Sequence, residues 1–246
     1  TVCLIPARLG STRLPRKMLL DRTGTPLIVH THQACQACDA FDEVHVVAAS
    51  REIATRCGHH DVPCILSYES HENGTSRVAE AARMLDLPSD AIVVNVQGDE
   101  PEVDADNLVG LVRHHTQRGS HMATLVAPLA VPRFIDTNVV KAFVNDSGRC
   151  AWFARHVKGE DSSAYAAMQK FVHHHVGVYS YRMDTLQHID AAEPTRFELS
   201  MRLEQMRAVE LGIPIDAIDI PHAHPGIDTQ EDYDGFVARY RASVAG

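Results

Sequence analysis

Leu4-Ile-Pro-Ala-Arg-Leu-Gly-Ser-Thr-Arg-Leu-Pro-Arg-Lys17 decides how the rest of this chain is read. A continuous apolar run, Val2–Pro6, predicts a buried strand. It empties into a loop of Gly, Ser, Thr, Arg and Lys. Such a loop offers backbone N–H groups and fixed cations to a phosphate chain, and Gly10 lets backbone come close. Arg8, Arg13 and Lys17 are the candidate phosphate ligands. These three candidates within ten residues, directly after the first strand of an open α/β sheet, favour phosphate binding over a merely solvated basic loop. The loop matches neither the Walker A pattern nor GxGxxG, which disfavours P-loop NTPases and nicotinamide dehydrogenases.

Outward from this strand, Val44–Ala49 and Ile92–Gln97 are further buried strands. Pro26–Ala37, Arg51–Cys57 and Thr75–Leu85 have helical spacing between them, the first with Pro26 at its N1 position. Leu108–Gln117 predicts a helix and Met122–Pro128 a strand. This alternation predicts an α/β fold, a mostly parallel central sheet with helices on both faces. After about residue 130 the rhythm turns mixed. Strands are expected at Asn138–Val144, Cys150–Phe153 and His175–Tyr181, with a turn at Asn145-Asp-Ser-Gly148. Helices follow at Arg182–Ile189 and Phe197–Leu211, then a strand at Ile215–Ile220 and a closing helix at Thr229–Ala242. With no repeat and no linker, one domain over 1–246 is expected, with a small mixed region inserted at about 130–195. Lys158–Ala167, small and polar, is the candidate mobile loop.

Composition bounds the function. The 246 residues carry a formal net charge of -9, so a sequence-independent nucleic-acid binder, which needs a basic field, is disfavoured. No apolar run reaches about 18 residues, so no signal peptide or membrane span is expected. The six scattered cysteines form no disulfide framework, which suits a reducing, cytoplasmic location. Cys35-Gln-Ala-Cys38 falls late in a helical pattern, the wrong place for a redox motif. Sixteen histidines, including His173-His-His175, give no fixed metal-ligand spacing.

The second chemical segment is Val93-Val-Asn-Val-Gln-Gly-Asp-Glu-Pro101. It delivers Gln97, Asp99 and Glu100 to the carboxyl end of a strand, where open α/β sheets place their ligands. A carboxylate there can hold Mg2+, a hard cation that commonly bridges to substrate phosphate. Gly-Asp after a strand also reads as an Asx turn. Its coincidence with the basic loop favours the metal.

Several motifs follow one another in order along the chain. They are Ile5-Pro-Ala-Arg with Ser11-Thr-Arg-Leu-Pro and Lys17; Gly74-Thr-Ser-Arg77; Val94-Asn-Val-Gln-Gly-Asp-Glu-Pro101; Gly177-Val-Tyr179; Leu203-Glu-Gln-Met-Arg207; and Gly226-Ile-Asp-Thr229 with Glu231-Asp232. In this series the chain resembles the 3-deoxy-manno-octulosonate (KDO) cytidylyltransferases over nearly its full length. The resemblance implies a Rossmann-like nucleotidyltransferase fold, a homodimer, and Mg2+-dependent transfer of CMP from CTP to an acidic ulosonic sugar. Arg8 and Lys17 then hold the CTP phosphates with Arg13 in support. Pro6, Ala7, Gly74, Thr75, Arg77 and Gln97 form the nucleotide pocket, and Asp99 and Asp228 hold the metal. Arg155, His175, Tyr179, Glu204 and Gln205 fall at sugar-side positions. The catalytic set is Arg8, Lys17, Asp99 and Asp228.

The match departs from the family pattern at Arg16, usually Gly; in the segment from Arg155 to Ser163; at Met201, usually Glu; and at His174, usually Arg before His175. All but Arg16 fall on the sugar side. A modified KDO, sialic acid or another ulosonic acid therefore stay open as substrates, as does a nucleotide-binding sensor without turnover.

Overall fold

A computed structural model of the chain describes residues 1–71, 73–159 and 162–245. Its elements, in chain order, are β1 (Val2–Ala7), α1 (Leu27–Gln36), β2 (Glu43–Ala48), α2 (Arg51–Gly58), β3 (Cys64–Leu66), α3 (Gly74–Met84), β4 (Ile92–Val96), α4 (Ala105–Arg118) and β5 (Met122–Ala127). They continue with β6 (Lys141–Val144), β7 (Cys150–Ala154), α5 (Ser162–Met168), β8 (Val172–Arg182), α6 (Met183–Ala191), α7 (Arg196–Met201), α8 (Met206–Glu210), β9 (Ile215–Asp219) and α9 (Gln230–Ala245). The chain divides into two compact units, Thr1–Leu87 with Val93–Val109 and His224–Gly246, and Pro88–Ile92 with Gly110–Ala223.

In the first unit four strands run parallel in the order β3-β2-β1-β4. β1 is buried at every residue, the signature of a strand covered on both faces. A core of Leu14, Leu27, Ile227, Tyr233, Phe236 and Val237 packs α1 and α9 around the basic loop. That loop closes in a 3-10 turn at Lys17–Leu19. In the second unit β5 lies between β9, parallel to it, and β8, antiparallel; β6 pairs antiparallel with β8 and β7. Phe134, Val139, Val157 and Val172 form a separate core there. The mostly parallel sheet of an α/β fold is therefore as expected.

Some local expectations differ. Pro26 is the N-cap of α1, not its N1 residue: ψ is 145°, and its carbonyl accepts from Val29 and His30. β3 has only three residues, too short to show a hydrophobic period. The candidate mobile loop Lys158–Ala167 contains α5, although Glu160 and Asp161 lie outside the described residues. The single helix expected over Phe197–Leu211 is broken into α7 and α8. Arg202, in the left-handed region at φ 54°, ends α7, and the Arg202 and Leu203 N–H groups both donate to Glu198 O. A left-handed C-terminal residue is usually Gly or Asn, so Arg202 gave no signal of the break.

Candidate active site

The first unit gathers its charges where β1 and β4 end. Gly98 permits this approach. A Cβ on it would meet the Pro6 carbonyl oxygen at 2.9 Å and the Met18 sulfur at 3.0 Å, while Thr31 Oγ1 donates to the Gly98 carbonyl at 2.8 Å. The chain then turns so that Asp99 faces the segment before α9. Ile227 N donates to Asp99 O at 2.9 Å. Asp228 follows, its backbone N–H held by Asp232, which also accepts from both Thr229 N and Thr229 Oγ1 and caps α9.

Lys17 stands between these carboxylates. Its Nζ donates to Asp99 Oδ2 at 2.6 Å, Asp228 Oδ1 at 2.8 Å and Ile227 O at 3.0 Å, and the residue is 7% exposed. Burial pulls its ammonium down, but the two carboxylates outweigh burial and hold it above its ordinary value. Arg13 Nη2 donates to Asp228 Oδ2 at 2.8 Å. Glu100, next in sequence, is pushed well above the usual carboxylate range by burial and by the Asp99 and Asp228 charges. Two carboxylates converging on one ammonium form a hard-oxygen donor pair already organised around a cation, a donor set that suits Mg2+.

Arg8 is exposed and has no ion-pair partner among the described residues. Burial and the Arg8 charge pull the Arg77 guanidinium below its ordinary value, against Glu80. The Arg77 Nε and both amide atoms of Asn95 are buried without a hydrogen-bond partner among the described residues. Pro6, Ala7, Thr75 and Arg77 are buried; Gly74 and Gln97 are half-buried, with Gln97 packed against Gly74. Pro6, Ala7, Lys17, Gln97, Asp99 and Asp228 thus come from three separated segments of one unit.

The sugar-side residues lie in the second unit and are of a different kind. His175 and Tyr179 are buried on β8. The His175 Nε2 lies 3.2 Å from Thr124 Oγ1, and its ring meets Phe153 edge-on at 5.1 Å. Burial, then the His174 charge, pulls His175 down to about 3, and burial pushes Tyr179 well up, so both are neutral near pH 7. Arg155 is exposed and its Nη2 donates to Arg202 O at 3.1 Å, which brings it to the turn that carries Glu204 and Gln205.

Two supports of these groups were missed in the sequence. Arg207 forks onto Glu198 with two 2.7 Å hydrogen bonds and caps the Ile189 and Ala192 carbonyls at 3.3 and 3.1 Å, which brackets the Arg202–Gln205 turn. Thr195 N donating to Glu198, three residues on, is the capping pattern that could have flagged Glu198. Lys141, wholly buried, donates to the carbonyls of Asp136, Val139 and Arg155, which ties the backbone of Arg155 in place. Its apolar neighbours in Val139-Val-Lys-Ala-Phe143 hid it within an ordinary strand pattern.

Known proteins resemble this chain over nearly its whole length. A family model described as cytidylyltransferase matches residues 2–217. The 3-deoxy-manno-octulosonate cytidylyltransferase of Polynucleobacter necessarius is 39% identical over 240 residues, 93% of this chain and 91% of the relative. That of Nitratidesulfovibrio vulgaris is 35% identical over 235 residues, 94% and 92% of the two chains. Among solved structures, a CMP:2-keto-3-deoxy-manno-octonic acid synthetase complexed with CTP superposes with a TM-score of 0.88 at 28% identity, covering 98% of each chain. Matched from the first strand into β9 by the family model and nearly end to end by its relatives, this chain belongs to the 3-deoxy-manno-octulosonate cytidylyltransferase family of cytidylyltransferases.

Proposed function

We propose that this protein activates KDO with CTP, releasing pyrophosphate and forming CMP-KDO. The observation that carries the reading is Lys17 clasped by Asp99 and Asp228 at the end of β4, in the unit that also holds the basic loop. The relatives' names and the CTP bound in the solved neighbour support both substrates. In the reaction the sugar's anomeric hydroxyl oxygen attacks the α-phosphorus of CTP. A P–O bond forms to the sugar as its hydroxyl gives up its proton to solvent, and the bond to the β-phosphate oxygen breaks as pyrophosphate leaves.

The chain's task is to position and to neutralise charge. Arg8 and Lys17 hold the triphosphate, with Arg13 reinforcing Asp228. Thr75, Arg77, Gln97 and Gly74 line the base and ribose, with Pro6 and Ala7 as the floor. Asp99 and Asp228 are the residues that would hold Mg2+, which when bound supplies Lewis-acid neutralisation of phosphate charge. Until then Lys17 keeps the two carboxylates together. Arg155 supplies the positive charge that an acidic sugar requires, and Glu204, Gln205 and the neutral His175 and Tyr179 supply hydrogen-bonding groups and shape. The protein is a homodimer in this reading. Exposed Leu199 and Phe197, the latter edge-on to Trp152 at 4.9 Å, give the second unit an apolar surface for a copy.

The test is pyrophosphate release from CTP and Mg2+ across KDO, substituted KDO and sialic acids. KDO-dependent release is the expected result. No release with any ulosonic acid would refute the enzyme. Release with sialic acid alone would replace only the sugar. Light scattering in solution reads the dimer.

A further inference from the structure

Glu80, two turns into α3, carries no role in the reaction described above, yet it is among the most heavily bonded carboxylates in the chain. It is 5% exposed. Oε2 accepts from Ser67 Oγ at 2.5 Å and pairs with His71 Nε2 at 2.7 Å; Oε1 accepts from the backbone N–H of Tyr68 at 2.9 Å and of Glu69 at 3.3 Å. Four donors from one five-residue stretch converge on a single side chain of the following helix. The stretch is pinned at its other end as well, because Ser67 N donates to Ala48 O at the end of β2.

What this stretch leads into is the nucleotide pocket. Asn73 caps α3 by accepting from Ser76 N at 2.9 Å, and α3 opens with Gly74-Thr-Ser-Arg77. That opening is tightly seated. A Cβ on Gly74 would lie 3.3 Å from both the Oε1 and the Nε2 of Gln97 and 3.3 Å from Pro6. A small displacement of the helix start would therefore move Gly74 against Gln97 and shift Thr75 and Arg77 with it. A misplacement of the order of 1 Å in such groups costs binding or rate heavily.

We propose that Glu80 is the positioning residue of the nucleotide subsite: it folds segment 67–71 onto α3 and so sets where Gly74, Thr75 and Arg77 stand against Gln97. The proposal rests on the reading of this end of the first unit as the CTP site. Glu80 itself touches no substrate. A charged acceptor is required because a carboxylate alone can accept from all four donors at once, whereas a carboxamide offers one oxygen and turns an N–H toward the others.

The experiment is calorimetric titration of CTP into wild type and Glu80→Gln with Mg2+ present, beside steady-state kinetics and thermal melting. Glu80→Gln is expected to weaken CTP binding about tenfold, by the loss of two or more charge-assisted bonds that seat the helix. Its KM for the sugar and its kcat at saturating CTP should stay within about twofold, because the loss is one of uniform nucleotide binding. A role in stability alone would lower the melting temperature and leave CTP affinity unchanged below the transition; that outcome overturns the proposal. Should Glu80→Gln not fold, Ser67→Ala removes one donor without touching a charge, and CTP affinity should fall about threefold; unchanged affinity there overturns the proposal too. Wild type that binds no CTP would overturn the nucleotide reading beneath it, a result distinct from equal binding by wild type and variant.

Discussion

The two units hold their candidate groups by opposite electrostatic means. In the first, burial is outweighed by opposite charge, and Lys17 stays an ammonium between Asp99 and Asp228. In the second, burial wins over the ring groups. His175 is held at about 3 and Tyr179 well above its ordinary value, so both rings are neutral near pH 7. On the proposed reading, the difference suits the partner of each unit. A triphosphate brings several charges and is best met by fixed charges. A sugar brings one carboxylate and many hydroxyls, which neutral donors and acceptors can distinguish without a desolvated ion.

The strongest way to break this contrast is to remove charge from the first unit. Asp99→Asn keeps the shape of the side chain and one acceptor for Lys17, so the melting temperature should change little. Turnover should fall about a thousandfold, on the order of 4 kcal/mol of transition-state stabilisation. Wild-type rates of pyrophosphate release by a folded Asp99→Asn would show that charge at this point is dispensable. His175→Gln, by contrast, removes no charge at neutral pH and should cost far less.

The second unit depends on charge in its supports instead. Arg207 and Glu198 are both buried and form a bidentate pair. Arg207→Met leaves Glu198 buried without its partner, which costs about 3–5 kcal/mol. The double variant Arg207→Met with Glu198→Leu should recover part of that loss, since no lone charge remains. Denaturant melts of the two single variants and the double variant measure the coupling. Additive losses would mean that the pair does not act as a unit.

How far the two halves were legible follows from the same contrast. Arg8, Arg13 and Lys17 sit in one continuous loop after a strand with an unmistakable apolar run, and Asp99 ends another such strand. Local sequence therefore exposes both. The supports could not be found so easily, because Lys141 acts through backbone carbonyls and Glu80 and Glu198 through partners nine or more residues away, which composition does not mark. Leu199, Leu203 and Met206 keep a helical period straight through a break, since the period records burial tendency and says nothing about the φ of Arg202. His173-His-His175 likewise reads as three alternating polar residues, whereas β8 buries His175 among aromatic rings.

Acid tests the Glu80 support in the first unit directly. Burial pushes Glu80 up, but its bonds to Ser67, His71, Tyr68 and Glu69 prevail and bring it down to about 2 from 4.5. Its contribution is therefore present above pH 4.5 and is lost as pH falls from 4.5 toward 2, where the folded carboxylate takes up its proton. The amount is at most about 3 kcal/mol. Melting temperatures of wild type and Glu80→Gln should converge across that window. A constant gap between them would assign the loss of stability in acid to other carboxylates.

The smallest expected effect concerns Arg16, the one departure from the family pattern in the nucleotide half. Arg16 has φ 57°, a left-handed conformation that costs a non-glycine residue about 1 kcal/mol. Its guanidinium meets Glu52 on α2, and Arg56 of the same helix meets Asp21 at 2.7 Å, so two ion pairs flank Lys17 and tie its turn to α2. Both pairs are exposed, and each is worth about 0–1 kcal/mol. Arg16→Gly removes the strain and one ion pair while adding backbone freedom to the unfolded chain, so net stability should change by less than about 1 kcal/mol. The turn would nonetheless be held at one end only. KM for CTP should rise about twofold to threefold, a loss of pre-organisation rather than of a contact. Glu52→Gln separates the causes, since it releases the same end without relieving the strain. If Glu52→Gln raises KM as Arg16→Gly does, the ion pair carries the effect. If only Arg16→Gly raises KM, the fixed backbone of Arg16 itself holds Lys17 where the carboxylates need it.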